Sequence, residues 1–490
     1  MAKYVLTIDQ GTSSSRCIVF DEKQKAVKVA QKELENYFPE PGWVEMDASE
    51  IWLSVLSCIN QVFKDGDIKP SDIVSIGITN QRETTVVWDK NTGIPAYHAI
   101  VWQSRQTSEI VADLKNQGLE PLIKQKTGLV LDPYFSASKI KWIRDNVPGV
   151  KDNDNLIFGT IDTWLLWNMT GGIVHATDVT NASRTLLFNI HSLDWDDELL
   201  KIFDVPRSML PEIKQTSGLF GYIDEKYFFN TTCPITCLVG DQQGALFGES
   251  CFEKGDIKNT YGTGGFMLIN TGDKEIISDK GLLTTVAWKI KDKVSYALEG
   301  SIFVSGSLIQ WLRDGLQLFK SASETEAMAR SVEDSNGVFI VPAFVGLGAP
   351  YWDDKCTGTI VGLTRGVTKN HIVRAAIEAM AYQSKDLFDV MQMDVGQTIN
   401  SLKVDGGACA NKYLLEFQAD ILGVKVIKPT NAESTALGAA RLAGLEVGYY
   451  TMDDFKDDDS EEYLPKMEKD RAQELYECWK KAIEATKIYK

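Results

Sequence analysis

Residues 9–16 read DQGTSSSR, a carboxylate, an amide and a glycine followed by four consecutive hydroxyl side chains and an arginine. The apolar runs KYVLTI and CIVFD flank this stretch, a pattern that predicts a tight turn between two strands. Gly11 lets the backbone turn sharply, and N–H groups and hydroxyls on such a turn can cradle phosphate oxygens. Arg16 would stabilise the same negative charge, whereas Asp9 would repel it unless a metal ion lay between them. The stretch indicates a magnesium-nucleotide site, with a serine- and threonine-rich hairpin turn as the alternative.

A weak internal repeat extends outward from this turn. The first copy begins at the KYVLTI strand, and the second begins near residue 256 with DIKNTYGTGGFMLINTG. Each copy is predicted to run strand, glycine-rich turn, strand, polar turn and further strand, before alternating helices and strands. We therefore expect two α/β domains, with a boundary near residues 245–255, that present their glycine-rich turns to one cleft. Closing such a cleft would exclude water from a phosphoryl group in transfer.

Length and composition narrow the function classes. The 490 residues suffice for two or three domains, and 44% apolar and 24% charged residues are typical of a soluble globular protein. A net charge of −17 argues against non-specific binding to nucleic acid or anionic membranes. No apolar run reaches the roughly 18 residues of a membrane span, and MAKY leads directly into the first strand without a signal-peptide pattern. Eight dispersed cysteines argue against a disulfide framework, so we expect a cytoplasmic, reduced protein. The acidic stretch 453–462 is predicted to be a solvated loop before a last helix.

The segment CLVGDQQGALFG (residues 237–248) places Asp241 directly after an apolar strand, where a helix is expected to begin. Its carboxylate could be the general base that takes the proton from an attacking hydroxyl in phosphoryl transfer to an alcohol. The alternative is a helix N-cap, a position that aspartate favours.

Residues 80–85, NQRETT, set Arg82 beside Glu83 between two predicted strands. If the strands bring this bend to the cleft, the carboxylate can accept and the guanidinium can donate hydrogen bonds to the hydroxyls of a neutral polyol. Trp102 and Tyr134 could pack against the CH face of the same molecule. The alternatives are a surface ion pair for Arg82 and Glu83 and core positions for the two aromatic side chains.

Two further glycine-rich turns, YGTGG (261–265) and VDGGACAN (404–411), are weak signals alone, because hairpins use the same residue types. Neither a Walker P-loop nor a Rossmann glycine fingerprint occurs at these sites, and the protein-kinase motif set is missing. If ATP binds, it does so through a different scaffold.

Thirteen segments between residues 9 and 448 together resemble a known family. They are, in order, DQGTSSSR, PGWVEMD, GITNQRETT, AIVWQ, TGLVLDPYFSASK, DTWLLW, TNASRTLLFNI, GDQQGALFG, KNTYGTGGFM, PAFVGLGAPYWD, GLTRG, VDGGACAN and TALGAARLAGLEVG. The set closely resembles the FGGY carbohydrate kinases of the actin/hexokinase/Hsp70 ATPase superfamily, and among them the glycerol kinases. NQRETT and GDQQ separate this branch from the pentulose and gluconate kinases, which share only the phosphate turns.

The resemblance implies an α/β fold of two ribonuclease H-like (actin-like ATPase) domains, residues 1–250 and 251–490, with an interdomain cleft. It also implies ATP-dependent phosphorylation of glycerol to sn-glycerol 3-phosphate, with ATP and Mg²⁺ as cofactors, in a homodimer or homotetramer. The residues implied at the ATP phosphates are Thr12, Ser13, Ser14, Arg16, Thr263 and Gly264. Those implied in the adenosine pocket are Gly306, Gln310, Gly407 and Asn411. Those implied around the acceptor are Arg82, Glu83, Trp102, Tyr134, Asp241, Gln242 and Phe266. Asp9 and Asp241 would lie near the magnesium ion, and Asp241, Arg82 and Asp9 would be catalytic.

Two other functions stay open at this point. One is a kinase for a different polyol or ketose. The other is a nucleotide-gated binding protein of the actin type, which would hydrolyse ATP slowly whether or not glycerol is present. NQRETT and Asp241 argue against this second alternative, because an ATP switch has no need of a polyol pocket.

The segment GYIDEKYFFNTTCPIT (221–236) departs from the family pattern. Some bacterial members carry here a glycine- and arginine-bearing loop that binds the inhibitor fructose 1,6-bisphosphate, and others carry a histidine that the phosphotransferase system phosphorylates. This segment contains neither arginine nor histidine, so we expect neither form of regulation. We predict that millimolar fructose 1,6-bisphosphate leaves the steady-state rate unchanged, and strong inhibition in that assay would contradict the prediction.

Overall fold

The computed structural model describes residues 2–353, 355–431, 433–455 and 460–489. Its strands are β1 (Tyr4–Gln10), β2 (Ser14–Phe20), β3 (Ala26–Glu33), β4 (Glu45–Met46), β5 (Ile73–Asn80), β6 (Val86–Asp89), β7 (Ala99–Ile100), β8 (Leu156–Gly159), β9 (Ala176–Asp178), β10 (Phe188–Asn189), β11 (Asp194–Trp195), β12 (Glu212–Lys214), β13 (Ser217–Tyr222), β14 (Pro234–Gly240), β15 (Ile257–Tyr261), β16 (Gly265–Gly272), β17 (Leu283–Ile290), β18 (Lys293–Ile302), β19 (Phe339–Val341), β20 (Thr359–Val361), β21 (Ser401–Asp405), β22 (Lys425–Pro429) and β23 (Ser460–Tyr463). Its α-helices are α1 (Ala48–Phe63), α2 (Ser108–Asn116), α3 (Glu120–Thr127), α4 (Ser136–Asn146), α5 (Ile161–Met169), α6 (Val179–Ala182), α7 (Asp197–Ile202), α8 (Asp241–Gly248), α9 (Gly306–Asp314), α10 (Glu324–Arg330), α11 (Lys369–Val395), α12 (Lys412–Leu422), α13 (Ser434–Glu446) and α14 (Lys469–Ile488).

One mixed sheet of 13 strands runs through both halves of the chain, in the order β23-β22-β21-β15-β16-β18-β17-β13-β14-β5-β1-β2-β3. In the first half, β1 pairs antiparallel with β2 and parallel with β5, which pairs parallel with β14. In the second half, β15 pairs antiparallel with β16 and parallel with β21, which pairs parallel with β22. The two halves therefore share one strand order, which confirms the prediction of two related α/β units.

The central strands are buried because helices cover both faces of the sheet. Val5, Leu6 and Ile8 of β1 are fully buried, with α1 packed on β2 and β3 from one side and α13 packed on β1, β5 and β14 from the other. Strands covered on both faces read as nearly continuous apolar runs, which explains the apolar segment that precedes the first turn. Asp47 is the N-cap of helix α1, because its Oδ1 atom accepts hydrogen bonds from two backbone N–H groups in the first turn of that helix.

The two halves meet closely at α8 and α13. A Cβ atom at Gly438 of α13 would lie only 1.9 Å from the carbonyl oxygen of Gly244 in α8, so a glycine is required there for the two helices to touch. Val5 and Val239 share a core cluster with Ala436 and Leu437 of α13. A helix of the second half thus supports α8, which carries Asp241 at its first position.

The acidic stretch 453–462 is only partly described, because residues 456–459 lie outside the described ranges. Within those ranges the stretch includes β23, the edge strand next to β22, and the predicted last helix is α14. Among the described residues, no helix combines the length and the apolar character that crossing a bilayer requires.

Candidate active site

The first glycine-rich turn joins β1 to β2 at residues 11–13, so the prediction of a turn between two strands is confirmed. Asp9 and Arg16 are paired across the two strands, and Arg16 Nη1 lies 3.8 Å from Asp9 Oδ2. The indole Nε1 of Trp102 donates a hydrogen bond of 2.9 Å to Thr12 Oγ1. The turn is therefore tied directly to one of the aromatic side chains expected around the acceptor.

The second glycine-rich turn joins β15 to β16 and lies against the start of α9. The carbonyl oxygen of Thr263 accepts hydrogen bonds from Ser305 N at 3.0 Å and Ser307 N at 3.1 Å. A Cβ atom at Gly306 would lie 2.6 Å from the carbonyl oxygen of Gly262, so α9 can approach the turn only because Gly306 has no side chain. These hydrogen bonds and the close approach fix the second turn against the N-terminus of α9.

A cavity of about 460 Å³ opens in the second half beside this turn. Its lining includes all four residues expected to contact adenosine, namely Gly306, Gln310, Gly407 and Asn411. Apolar side chains form much of the remaining wall, namely Ile309, Ile377, Met380 and Leu414. Apolar walls with a few polar groups are typical of pockets for small ligands, and adenosine is the ligand that the family resemblance implies for this one.

The two adjacent glycines of the VDGGACAN segment differ in the space that surrounds them. Gly406 has φ +93°, and a Cβ atom there would lie 2.3 Å from the carbonyl oxygen of Tyr261. A Cβ atom at Gly407 would have no heavy atom within 4 Å. The backbone therefore requires Gly406, whereas Gly407 keeps the cavity open.

Arg82 and Glu83 are only 2% and 1% exposed, so the alternative of a surface ion pair is wrong. Arg82 Nε lies 3.1 Å from Asp241 Oδ1, and its Nη1 donates to Glu299 Oε2 at 2.5 Å. Glu83 has φ +61°, and its Oε1 accepts a hydrogen bond of 2.6 Å from Arg184 Nε. The two neighbours in sequence are each bound mainly to a distant partner, and together they form a buried corner next to Asp241.

Asp241 is the first residue of α8, and the N-cap position belongs to Gly240, so the N-cap interpretation of Asp241 is wrong. Its Oδ1 accepts a hydrogen bond of 2.7 Å from Gln242 N and lies beside Arg82. The side chain is 32% exposed. Burial raises the pKa of this carboxyl above its ordinary value, with the Arg82 guanidinium opposing the rise. A partly accessible carboxylate with a raised pKa is suited to accept a proton.

Three aromatic side chains from distant segments form a wall near this corner. The ring centroid of Trp102 lies 5.6 Å from that of Tyr134 and 6.2 Å from that of Phe266. All three rings are partly exposed rather than sealed in the core. Phe266 follows the second glycine-rich turn, so the wall contains side chains from both halves of the chain. Gln242 is buried, and its Oε1 accepts a hydrogen bond from Lys258 Nζ.

Four charged residues that contact the candidate site residues were not identified from the sequence, namely Arg184, Lys258, Glu299 and Glu433. Glu299 did carry a signal, because it is a single acid within the apolar part of the SYALEGSI strand. Such an acid is buried only when a partner balances its charge. The partners could not be read from the sequence.

Arg16, expected at the ATP phosphates, is bound to a carboxylate of the second half. Its Nη2 lies 2.5 Å from Glu433 Oε1, just before α13, and both side chains are partly exposed. A phosphate that binds Arg16 must compete with this carboxylate. We predict that Glu433→Gln tightens ADP binding about 2- to 5-fold, because a partly exposed ion pair contributes at most about 1 kcal/mol.

Titration calorimetry with ADP tests this prediction, with Glu446→Gln on the exposed end of the same helix as the matched control. Unchanged or weaker ADP binding in Glu433→Gln would contradict it.

Asp9 and Asp241 are the carboxylates expected near a magnesium ion. Burial raises the pKa of Asp9 to about 6; Arg16 opposes the rise, and Asp241 and Glu433 add to it. Mg²⁺ is commonly bound by one or two carboxylates together with substrate phosphates, so this pair fits a magnesium ion that arrives with the nucleotide. Across the described residues, no group of three or more histidine, cysteine, aspartate or glutamate side chains could hold a metal ion.

Comparison with known proteins identifies the family. The model of the FGGY family of carbohydrate kinases, N-terminal domain, matches residues 4–248, and the model of the C-terminal domain matches residues 257–447. Plasmodium falciparum glycerol kinase, solved with ADP, is 38% identical with a TM-score of 0.92, over 99% of this chain and 98% of that chain. The xylulose kinase and the gluconate kinase of Lactobacillus acidophilus are each 23% identical, with TM-scores of 0.89 and 0.88, over 99% of this chain and 98% of theirs.

These similarities confirm the predicted fold class, two α/β domains of the actin-like ATPase type. The matches at 23% identity extend the likeness in fold to kinases named for other acceptors. The chain belongs to the FGGY family of carbohydrate kinases, and its activity is the ATP-dependent phosphorylation of a carbohydrate.

Proposed function

We propose that the acceptor is glycerol and that the product is sn-glycerol 3-phosphate. The observation that supports this most strongly is the buried corner of Arg82 and Glu83 beside the partly exposed Asp241. The corner offers hydrogen-bonding groups, and the rings of Trp102 and Phe266 offer apolar surface nearby. This combination suits a small molecule with hydroxyls on one face and CH groups on the other. The similarity to the Plasmodium glycerol kinase also supports this acceptor.

The charges at the corner favour a neutral acceptor. Arg82 is paired with Glu299 and Asp241, and Arg184 is paired with Glu83 and Glu299. Because neither guanidinium group lacks a carboxylate, an acceptor with its own carboxylate, such as gluconate, gains no ion pair from either arginine.

The chemistry assigned to the chain is positioning and proton transfer. Arg82 and the N–H of Gln242 hold Oδ1 of Asp241, which leaves Oδ2 to take the proton from the attacking hydroxyl. Phosphoryl transfer needs little covalent help from the protein, so orientation and charge stabilisation account for most of the rate. Asp9 and Asp241 would lie near Mg²⁺, which would supply positive charge to the phosphates.

The nucleotide would lie between the two halves. We propose that Thr12, Ser13, Ser14 and Arg16 face the phosphates from residues 1–250, with Thr263 and Gly264 opposite them in residues 251–490. The cavity at Gly407 would hold the adenosine. The family resemblance supports three further parts of the proposal, namely Mg²⁺ as the cation, a cytoplasmic location and a homodimer or homotetramer.

The test compares kcat/KM for glycerol, xylulose, gluconate, erythritol and dihydroxyacetone under one assay condition. We expect glycerol to exceed xylulose and gluconate by about 10²-fold or more, because a site built around an acceptor's hydroxyls rejects poorly matched molecules. A higher kcat/KM for one of the other acceptors would overturn the assignment to glycerol and leave carbohydrate kinase activity in place.

A further inference from the structure

Glu299 links the acceptor corner to the second half of the chain. It lies on β18, is fully buried, and meets two arginines of the first half. Its Oε2 accepts a hydrogen bond of 2.5 Å from Arg82 Nη1, and its Oε1 accepts from Arg82 Nη2 at 3.1 Å. The same Oε1 accepts a hydrogen bond of 2.8 Å from Arg184 Nη2. A single carboxylate therefore orients both guanidinium groups.

Arg184 extends this contact to the other acceptor residue. It is fully buried shortly after α6, and its Nε donates a hydrogen bond of 2.6 Å to Glu83 Oε1. Its guanidinium carbon lies 5.7 Å from the ring centroid of Tyr134 and 5.3 Å from that of Phe135. The result is a continuous chain of contacts from Glu83 through Arg184 and Glu299 to Arg82.

A buried charge network of this kind is weak as a source of stability. Removing four charges from water costs several kcal/mol per ion, and well-packed apolar side chains often stabilise a fold equally well. Burial tends to raise the pKa of Glu299, but Arg184 and Arg82 hold it at about 2, so the carboxylate stays ionised. The network instead fixes the orientation of its side chains, because a bidentate contact between a guanidinium and a carboxylate holds both groups in one plane.

We propose that Glu299 and Arg184 are positioning residues that orient Arg82 and Glu83 toward the acceptor. Neither would touch the acceptor itself, and each would act through the residue that it holds. The inference rests on the proposed role of Arg82 and Glu83 in binding the acceptor hydroxyls, and it adds a contribution of the second half to a pocket built mainly by the first.

The test measures the KM values for acceptor and ATP, and the affinity for ADP, in Glu299→Gln and Arg184→Lys. Both variants keep nearly the same side-chain volume, and the second also keeps its charge. We expect the acceptor KM to rise about 10- to 100-fold, as is usual when a supporting contact behind a functional group is lost, while the ATP KM and the ADP affinity change less than about twofold. Glu275→Gln, which breaks the ion pair with His191 away from the site, is the matched control and should leave all three values unchanged.

Two outcomes would overturn the proposal. One is an acceptor KM within about twofold of wild type in a folded variant, and the other is a parallel loss of affinity for acceptor and nucleotide, which indicates a general structural defect. If Glu299→Gln yields no folded protein, Arg184→Lys decides by the same criteria. The assay uses the acceptor that the wild-type enzyme phosphorylates best, so a preference for a molecule other than glycerol refutes the proposed function without deciding this inference.

Discussion

Asp241→Asn is expected to lower kcat by a factor of about 10² to 10⁴, because the amide cannot take the proton from the attacking hydroxyl. The cavity proposed for adenosine is lined from the second half of the chain, so the affinity for ADP in the absence of Mg²⁺ should stay nearly unchanged. Steady-state kinetics and ADP titration on the same preparation measure the two quantities. Asp113→Asn, an exposed aspartate on α2, is the matched control and should retain full activity. An unchanged kcat in Asp241→Asn would remove the general base from the mechanism.

Gly407→Val is expected to weaken ATP and ADP binding by about 10²-fold or more, equivalent to a loss of roughly 3 kcal/mol. A Cβ atom at this position meets no protein atom within 4 Å, so the valine side chain would occupy the part of the cavity that we propose for adenosine. The melting temperature should change little, because the substitution disturbs no packing contact.

The neighbouring glycine provides the contrast for this experiment. Gly406→Ala should lower the melting temperature, because its Cβ atom would lie 2.3 Å from the carbonyl oxygen of Tyr261 at a backbone φ of +93°. Wild-type affinity for ADP in a folded Gly407→Val protein would show that the nucleotide does not use this cavity.

The parts of the fold that the sequence predicts are those set by local chemistry. The turn at residues 11–13 follows from a glycine and small hydroxyl residues between two apolar runs. The repeat of that pattern near residue 256 predicts the second unit, whose strands pair in the same order as those of the first. Gly306 and Gly407 were expected in one pocket only through the family resemblance, because no local pattern relates residues so far apart in sequence.

The pairing of the buried charges could not be predicted in this way. Adjacency suggests that Arg82 pairs with Glu83, but the Arg82 Nε and Glu83 Oε1 atoms lie 4.0 Å apart, and each side chain binds a different partner more closely. Those partners, Glu299 and Arg184, lie more than 100 positions away in the chain. Asp241 is the first residue of α8 rather than its N-cap, a difference of one position that a sequence pattern does not resolve.

The pairing of Arg16 with Glu433 could not be predicted from the sequence either. It joins β2 to the start of α13, and it exists only because the two halves fold against each other. Sequence patterns predict the elements, whereas contacts between the halves depend on how those elements pack.

The most direct measurement is the rate of ADP release from the wild-type protein with MgATP, in the presence and in the absence of glycerol. If the two halves hold the triphosphate and exclude water, the enzyme should release almost no ADP in the absence of an alcohol. Glycerol should then raise the rate of ADP release into the usual kinase range of roughly 1–100 s⁻¹. A slow release of ADP at the same rate with and without glycerol would contradict the account, because it is the behaviour of an ATP switch that lacks a glycerol-binding pocket.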